Sequence, residues 1–72
     1  MTELSDADAS SALARLVRAE GRAVLATLTR QLGDLGRAED AVQEAALQAL
    51  ESWGRQGVPP NPRAWLTRAA RH

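Results

Sequence analysis

Two carboxylates four residues apart, Asp40 and Glu44, are the clearest candidates for chemistry in this sequence. Residues at this spacing lie on the same side of a helix, so both would project from one face, with Gln43 beside them. General acid–base catalysis needs carboxylates held in a pocket that tunes their acidity. An open helix face supplies no such pocket. The pair therefore favours binding of a cationic partner over catalysis.

The sequence contains few residues from which other catalytic or metal-binding sites could form. The chain has no cysteine, and its one histidine is the last residue, His72. Gly33 and Gly36 suit helix boundaries better than a phosphate-binding loop, and the serines lack a plausible base. We therefore expect no enzyme activity, no metal site and no cofactor.

Two leucines follow the carboxylates on the same predicted helix, at Leu47 and Leu50. A merely solvated face gains nothing from them, whereas an arginine-rich partner helix would use the carboxylates for charge-assisted bonds and the leucines for desolvated contact. The pattern leaves one alternative open, in which Leu47 or Leu50 faces a neighbouring helix of the same chain.

The charges are sorted along the chain although the net charge is zero. Residues 34–51 hold five acidic residues against Arg37, a balance of −4, and residues 52–72 hold four arginines and no acid, a balance of +4. Such a chain can meet partners of opposite sign, although solvated faces would show the same runs. Arg68 and Arg71, three residues apart, are candidates for contacts with DNA phosphates.

The first helix is predicted to start between Ser5 and Ser10, where Ser and Asp residues can cap free backbone N–H groups. Residues 1–10 then form a polar N-terminal tail, and residues 11–72 form the helical domain. Gly33 suits the left-handed conformation that ends a helix. One buried face is marked by apolar residues at three- and four-residue steps: Leu13, Leu16, Val17, Val24, Leu28 and Leu32.

The second helix is predicted from Leu35 to Trp53, with Asp34 as its N-terminal cap. On a helical wheel, one side collects mostly alanines, which allow close approach of another helix: Ala38, Val42, Ala45, Ala49 and Trp53. The opposite side collects Asp40, Glu44, Leu47 and Glu51.

A loop over Gly54 to Pro60 precedes Asn61-Pro62, a cap residue followed by proline at the first helical position. The third helix should bury Trp65, Leu66 and Ala69, and it is still helix-like at His72. The sequence thus predicts an all-α three-helix bundle whose third helix is truncated. No apolar run approaches the ~20 residues that cross a bilayer, and the N-terminus is unlike a secretory signal, so we expect a cytoplasmic protein.

Specific residues match a known family in order along the chain. The string Ala38-Glu39-Asp40-Ala41-Val42-Gln43-Glu44-Ala45 after Gly33-Asp34, and then Trp53, Gly57-Val58-Pro59, Asn61-Pro62 and Ala64-Trp65-Leu66, resemble region 2 of bacterial sigma factors. The likeness is strongest to the extracytoplasmic-function (ECF) group of the sigma-70 family.

The resemblance implies a fragment of a transcription initiation factor that docks on the β′ clamp helices of RNA polymerase. Carried over by position, Asp40, Gln43 and Glu44 are the polar polymerase-binding residues, with Leu47 and Leu50 as apolar neighbours. Readout of the promoter −10 element belongs mainly to residues that would follow position 72, so promoter DNA is expected as a partner only of the full-length protein. An anti-sigma factor is a further partner that the family allows.

Two other readings remain open from the sequence. One is a helix-turn-helix DNA-binding regulator with the second helix in the major groove, although its balance of −4 is unfavourable beside phosphate. The other is a structural bundle that forms homodimers through an uncovered face of the third helix, where Trp65 or Leu66 is exposed.

Overall fold

The structure, a computed structural model, describes residues 2–72, and it describes the side chains of residues 8–72. Three α-helices follow one another in this part of the chain: α1 (Thr2–Leu32), α2 (Leu35–Gln56) and α3 (Pro62–Arg71). They pack as a bundle in which every helix contacts the other two, so the predicted all-α three-helix architecture is confirmed. None of these helices is both long enough and apolar enough to cross a membrane.

Two residues turn the chain from α1 into α2. Gly33 has a φ of +78°, which glycine adopts without steric cost, and its N–H donates to the carbonyl of Thr29 at 2.7 Å. Asp34 is extended, and its Oδ1 accepts from the N–H of Gly36 at 2.8 Å. Both predicted caps are confirmed, and this short connection sets the register of α2 against α1.

The inner side of α2 carries small residues that are almost completely covered. Ala38, Ala45 and Ala49 are at most 1% exposed, and Trp53 is 1% exposed near the end of the helix. Leu28 of α1 and Leu66 of α3 complete the centre of the core at 0% and 1%. The alanines allow close helix approach, while the few large side chains supply most of the apolar area.

Two predictions for α1 are wrong. The helix begins at Thr2 rather than between Ser5 and Ser10, and Ala9 belongs to the core, so the predicted tail over residues 1–10 is helical from Thr2 onward. Val17 was expected on the buried face but is 48% exposed. It lies beside Gly21 in the lining of an open groove along the α1–α2 seam.

The end of α2 also differs from the prediction. The helix continues through Gly54 to Gln56 instead of ending at Trp53. Gly57 then stops it with a φ of +91°, and its N–H donates to the carbonyl of Trp53 at 2.9 Å. A buried Trp53 stabilises the last turns of α2 more than a single internal glycine, at about 1 kcal/mol, weakens them.

The start of α3 follows the prediction, since Asn61 Oδ1 accepts from the N–H of Ala64 at 3.1 Å and Pro62 occupies the first helical position. Its buried side differs in detail: Leu66 and Ala70 are buried, whereas Trp65 and Ala69 are half-buried.

The face predicted for homodimer formation is largely covered within the chain. Leu66 is 1% exposed in the core. The half-buried Trp65 ring packs edge-on against Trp53, with ring centroids 5.4 Å apart and planes at 69°. The expectation that Leu66 is exposed is therefore wrong, and Trp65 is the half-buried residue of that face.

Two leucine-to-alanine variants test this distribution of burial. We expect Leu28→Ala to destabilise the fold by about 2–5 kcal/mol, because the side chain is fully enclosed. A domain of this size has only about 3–5 kcal/mol to lose, so cooperative thermal melting should vanish or shift strongly downward. Leu47→Ala is the matched control, since Leu47 is 68% exposed, and it should melt as the unmodified chain does. Equal melting of the two variants in circular dichroism would contradict the core described here.

Candidate functional site

The outer face of α2, defined here as Asp40, Gln43, Glu44, Leu47 and Leu50, points away from the bundle. All five side chains are exposed, and Leu47, at 68%, is the most exposed large apolar side chain among the described residues. Because the alanines on the other side of α2 are buried, the helix cannot rotate to bring these residues inward. The prediction that they share an exposed face is confirmed, and Leu50, at 38%, lies nearest its edge.

The carboxylates of this face have no ionic partner within the described side chains. Glu44 borders a shallow depression of about 240 Å³ that Arg37, Arg71 and His72 also line, yet it forms no ion pair with them. The one ion pair among residues 8–72 joins Glu20 and Arg63, at a distance from α2. The negative charge on the outer face is therefore available to an external partner.

An apolar groove of about 490 Å³ runs along the α1–α2 seam beside this face. Gln43 belongs to both the groove and the outer face of α2, so the two surfaces are continuous. The remaining lining is mainly aliphatic, with one charged side chain on each helix: Leu16, Val17, Gly21, Arg22, Val24, Leu25, Glu39, Val42 and Leu66. Sequence reasoning missed this groove because Val17 fits the buried periodicity of α1.

Arg68 and Arg71 lie on α3, outside the outer face of α2. Both are exposed on α3, and both line a polar cleft of about 460 Å³ between α3 and α1. Arg63 and Thr27 line the same cleft, whereas no residue of α2 does. The cleft is therefore basic and contains no residue of α2, and its Arg71 also borders the depression that Glu44 lines.

Comparison with known proteins identifies the family. The family model for sigma-70 region 2 matches residues 16–72, which is most of the chain and includes the whole outer face of α2. The chain belongs to the sigma-70 region 2 family. It is also 45% identical over 42 residues to an uncharacterized protein of Rhizobium meliloti. That alignment covers 58% of this chain and 10% of the relative, so the chain spans only a small part of the length of the relative it matches. No solved structure matches it significantly.

The geometry of this region 2 domain bears on the helix-turn-helix reading. A recognition helix presents neutral or basic side chains to the major groove, close to phosphates. Here α2 presents Asp40 and Glu44, and its exposed outer side also holds Glu51. Phosphates would repel this surface, so the position of these carboxylates argues against α2 as a recognition helix.

Among the described residues, no group of three metal-ligating side chains comes together.

Proposed function

We propose that the chain docks on the RNA polymerase core through the outer face of α2, as region 2 of an ECF-type sigma factor. The partner surface is the basic pair of clamp helices on the β′ subunit. The observation that carries the proposal is a pair of exposed carboxylates without an ion-pair partner among the described side chains, Asp40 and Glu44, followed on the same face by the 68% exposed Leu47. Membership of the sigma-70 region 2 family supports it, since polymerase docking is what the resemblance implies for this region.

Charge and apolar area on this face complement each other. Arginines of a partner helix would form charge-assisted hydrogen bonds with Asp40 and Glu44, which are stronger than neutral ones. Covering Leu47 would exclude water from those bonds and add about 1.5–3 kcal/mol of apolar burial. Neither gain is made among the described residues, because Asp40 and Glu44 form no ion pair there and Leu47 is 68% exposed.

The groove beside the outer face extends the proposed surface. A side chain of the partner helix could enter between Val17 and Val42 while the helix itself rests on Leu47 and Leu50. Arg22 on the α1 side and Glu39 on the α2 side place opposite charges on the two rims. That asymmetry favours one orientation of a partner that carries both signs of charge.

The domain is rigid where docking would require it. Asp34 caps α2 immediately before the acidic residues, and the alanines hold the inner side of the helix against α1 and α3. The side chains of the outer face therefore need little backbone reorganisation to bind, which reduces the cost of association. We further propose that promoter contacts and any anti-sigma partner involve the full-length protein, which acts in the cytoplasm by binding and not by catalysis.

Charge reversal at one position tests the docking surface. We expect Glu44→Arg to weaken binding to the polymerase core by about 1–3 kcal/mol, or roughly 5- to 150-fold in Kd, because a partner arginine would meet a like charge. Fluorescence anisotropy of the labelled chain titrated with polymerase core measures this. Asp8→Arg changes the net charge equally at an exposed site on α1 and should bind as the unmodified chain does. Equal weakening in both variants would attribute the effect to overall charge and not to α2.

A leucine pair tests the apolar half of the surface. Leu47 and Leu35 are both on α2 and both exposed, at 68% and 53%, but only Leu47 belongs to the outer face defined above. We expect Leu47→Ala to weaken binding in the same titration by about 1–2 kcal/mol, and Leu35→Ala to leave it unchanged. If Leu35→Ala weakens binding and Leu47→Ala does not, the partner covers the start of α2 instead.

A further inference from the structure

The groove between α1 and α2 carries opposite charges on its two sides. Arg22 lies on the α1 side and Glu39 on the α2 side, and both are exposed. Neither forms an ion pair among the described side chains. The rest of the lining is mainly aliphatic and includes the half-buried Leu25 and Val42. A partner that satisfies this groove needs an acidic and a basic group around an apolar centre.

Gly21 keeps the α1 side of the groove open. It lies inside α1, where glycine weakens a helix relative to alanine, and its φ is not positive. A Cβ at this position would meet Val17 Cγ1 at 3.6 Å, an ordinary contact, and nothing from another helix within 4 Å. The bundle itself therefore gives no reason for a glycine here. A second surface that approaches α1 closely at the groove supplies one.

A second copy of this chain presents the charges that the groove requires. In a two-fold symmetric contact every residue pair occurs twice, with the roles of the two copies exchanged. Arg22 of each copy then faces Glu39 of the other, and the aliphatic lining meets itself across the axis. A uniformly basic partner would instead be repelled by Arg22, and a uniformly acidic one by Glu39. The charge pattern therefore favours self-association over a partner of one sign.

We propose that two copies of this chain associate face to face through the α1–α2 groove, with reciprocal Arg22–Glu39 ion pairs and Gly21 at the close approach. The groove has ten lining residues, whereas a standard interface has about 20–30 on each side. We therefore expect a Kd weaker than about 1 µM. This surface differs from the α3 face that the sequence indicated for homodimers.

The groove is shared with the extension of the proposed polymerase-docking surface. A dimer has to separate before a side chain of a partner helix can enter between Val17 and Val42. Self-association itself does not depend on the polymerase. The experiments use the chain alone, so their failure leaves docking through Asp40, Glu44 and Leu47 unaffected.

Complementary charge reversals test the pairing. Sedimentation equilibrium over about 10 µM to 1 mM covers the expected range of Kd. Arg22→Glu and Glu39→Arg should each weaken self-association roughly 2- to 30-fold, because both symmetric ion pairs are lost at once. An equimolar mixture of the two variants should regain the dimer, because every contact between unlike copies again joins opposite charges.

A matched pair of variants controls for net charge, which would also draw oppositely charged chains together. Asp8→Arg and Arg30→Glu change the charge by the same amounts at exposed positions of α1 outside the groove. Each of these variants should self-associate nearly as the unmodified chain does. Their equimolar mixture should show no gain.

Two valines of similar exposure test the apolar part of the contact. Val17 is 48% exposed in the groove, whereas Val58 is 40% exposed outside it. Val17→Asp should remove the dimer, because each copy would bring a carboxylate into the apolar centre. Val58→Asp should leave the dimer intact in the same measurement.

Gly21→Ala separates the stability of the monomer from association. The melting temperature of the dilute chain should rise by about 2–8 °C, because alanine is the better helix former and its methyl group has room in the monomer. The dimer should weaken roughly 5- to 150-fold, because the methyl group occupies the space of the close approach. A glycine needed only by the monomer would give a lower melting temperature and an unchanged dimer.

Four results would overturn the proposal. The unmodified chain could remain monomeric at the highest concentration. The mixture of Arg22→Glu and Glu39→Arg could fail to dimerise although both variants are folded by circular dichroism. An equal gain in the Asp8→Arg and Arg30→Glu mixture would reduce the effect to net charge. Unchanged self-association of Val17→Asp or Gly21→Ala would place the contact outside the groove.

Discussion

Close packing of α2 through its alanines is the constraint on which the rest of the structure depends. Ala38, Ala45 and Ala49 are covered almost completely, so the backbone of α2 lies close to α1 and α3 with little room for adjustment. Small side chains bury little area each, and the core gains most of its apolar burial from Leu28, Trp53 and a few others. The indole Nε1 of Trp53 has no acceptor among the described groups, a cost that the fold tolerates beside the ring of Trp65. Rotation of α2 by even one residue position would expose the buried alanines to solvent. The orientation of α2 is therefore fixed.

The fixed orientation of α2 determines what its other side can do. With the small residues inward, Asp40, Glu44 and Leu47 must face solvent. An exposed leucine among carboxylates gives nothing to the stability of an isolated bundle. Burial of Leu47 by another surface would be favourable, and in the proposed function the clamp helices supply that surface. In the proposed function, the same helix uses one side for folding and the other for recognition.

Local chemistry made the helix boundaries at Asp34, Gly33 and Asn61 predictable, because each cap depends on one side chain or one φ angle. The outer face of α2 was predictable for a similar reason, since small apolar residues that recur at three- and four-residue steps leave one orientation of the helix. The exposure of Val17 was not predictable, because it depends on how the three helices pack. Periodicity along α1 carries no information about that packing. The end of α2 was missed because the gain from burying Trp53 exceeds the helix-breaking tendency of Gly54. The cleft likewise depends on tertiary structure, since Thr27 and Arg63 meet only in the folded chain.

The acidic and basic segments of the sequence lie on different helices of the fold, and they meet at the depression that Glu44 and Arg71 both line. The acidic segment forms α2 and the arginines of the cleft lie on α3, and the short loop between them holds the two helices side by side. The net charge of zero is therefore a sum over acidic and basic regions, and it does not represent the charge of either region. Each surface attracts partners of the opposite sign over about one Debye length, roughly 8–10 Å, and beyond that distance the two fields largely cancel. The association of such a domain with a charged partner therefore depends on the charges and apolar side chains at the contact and not on its net charge.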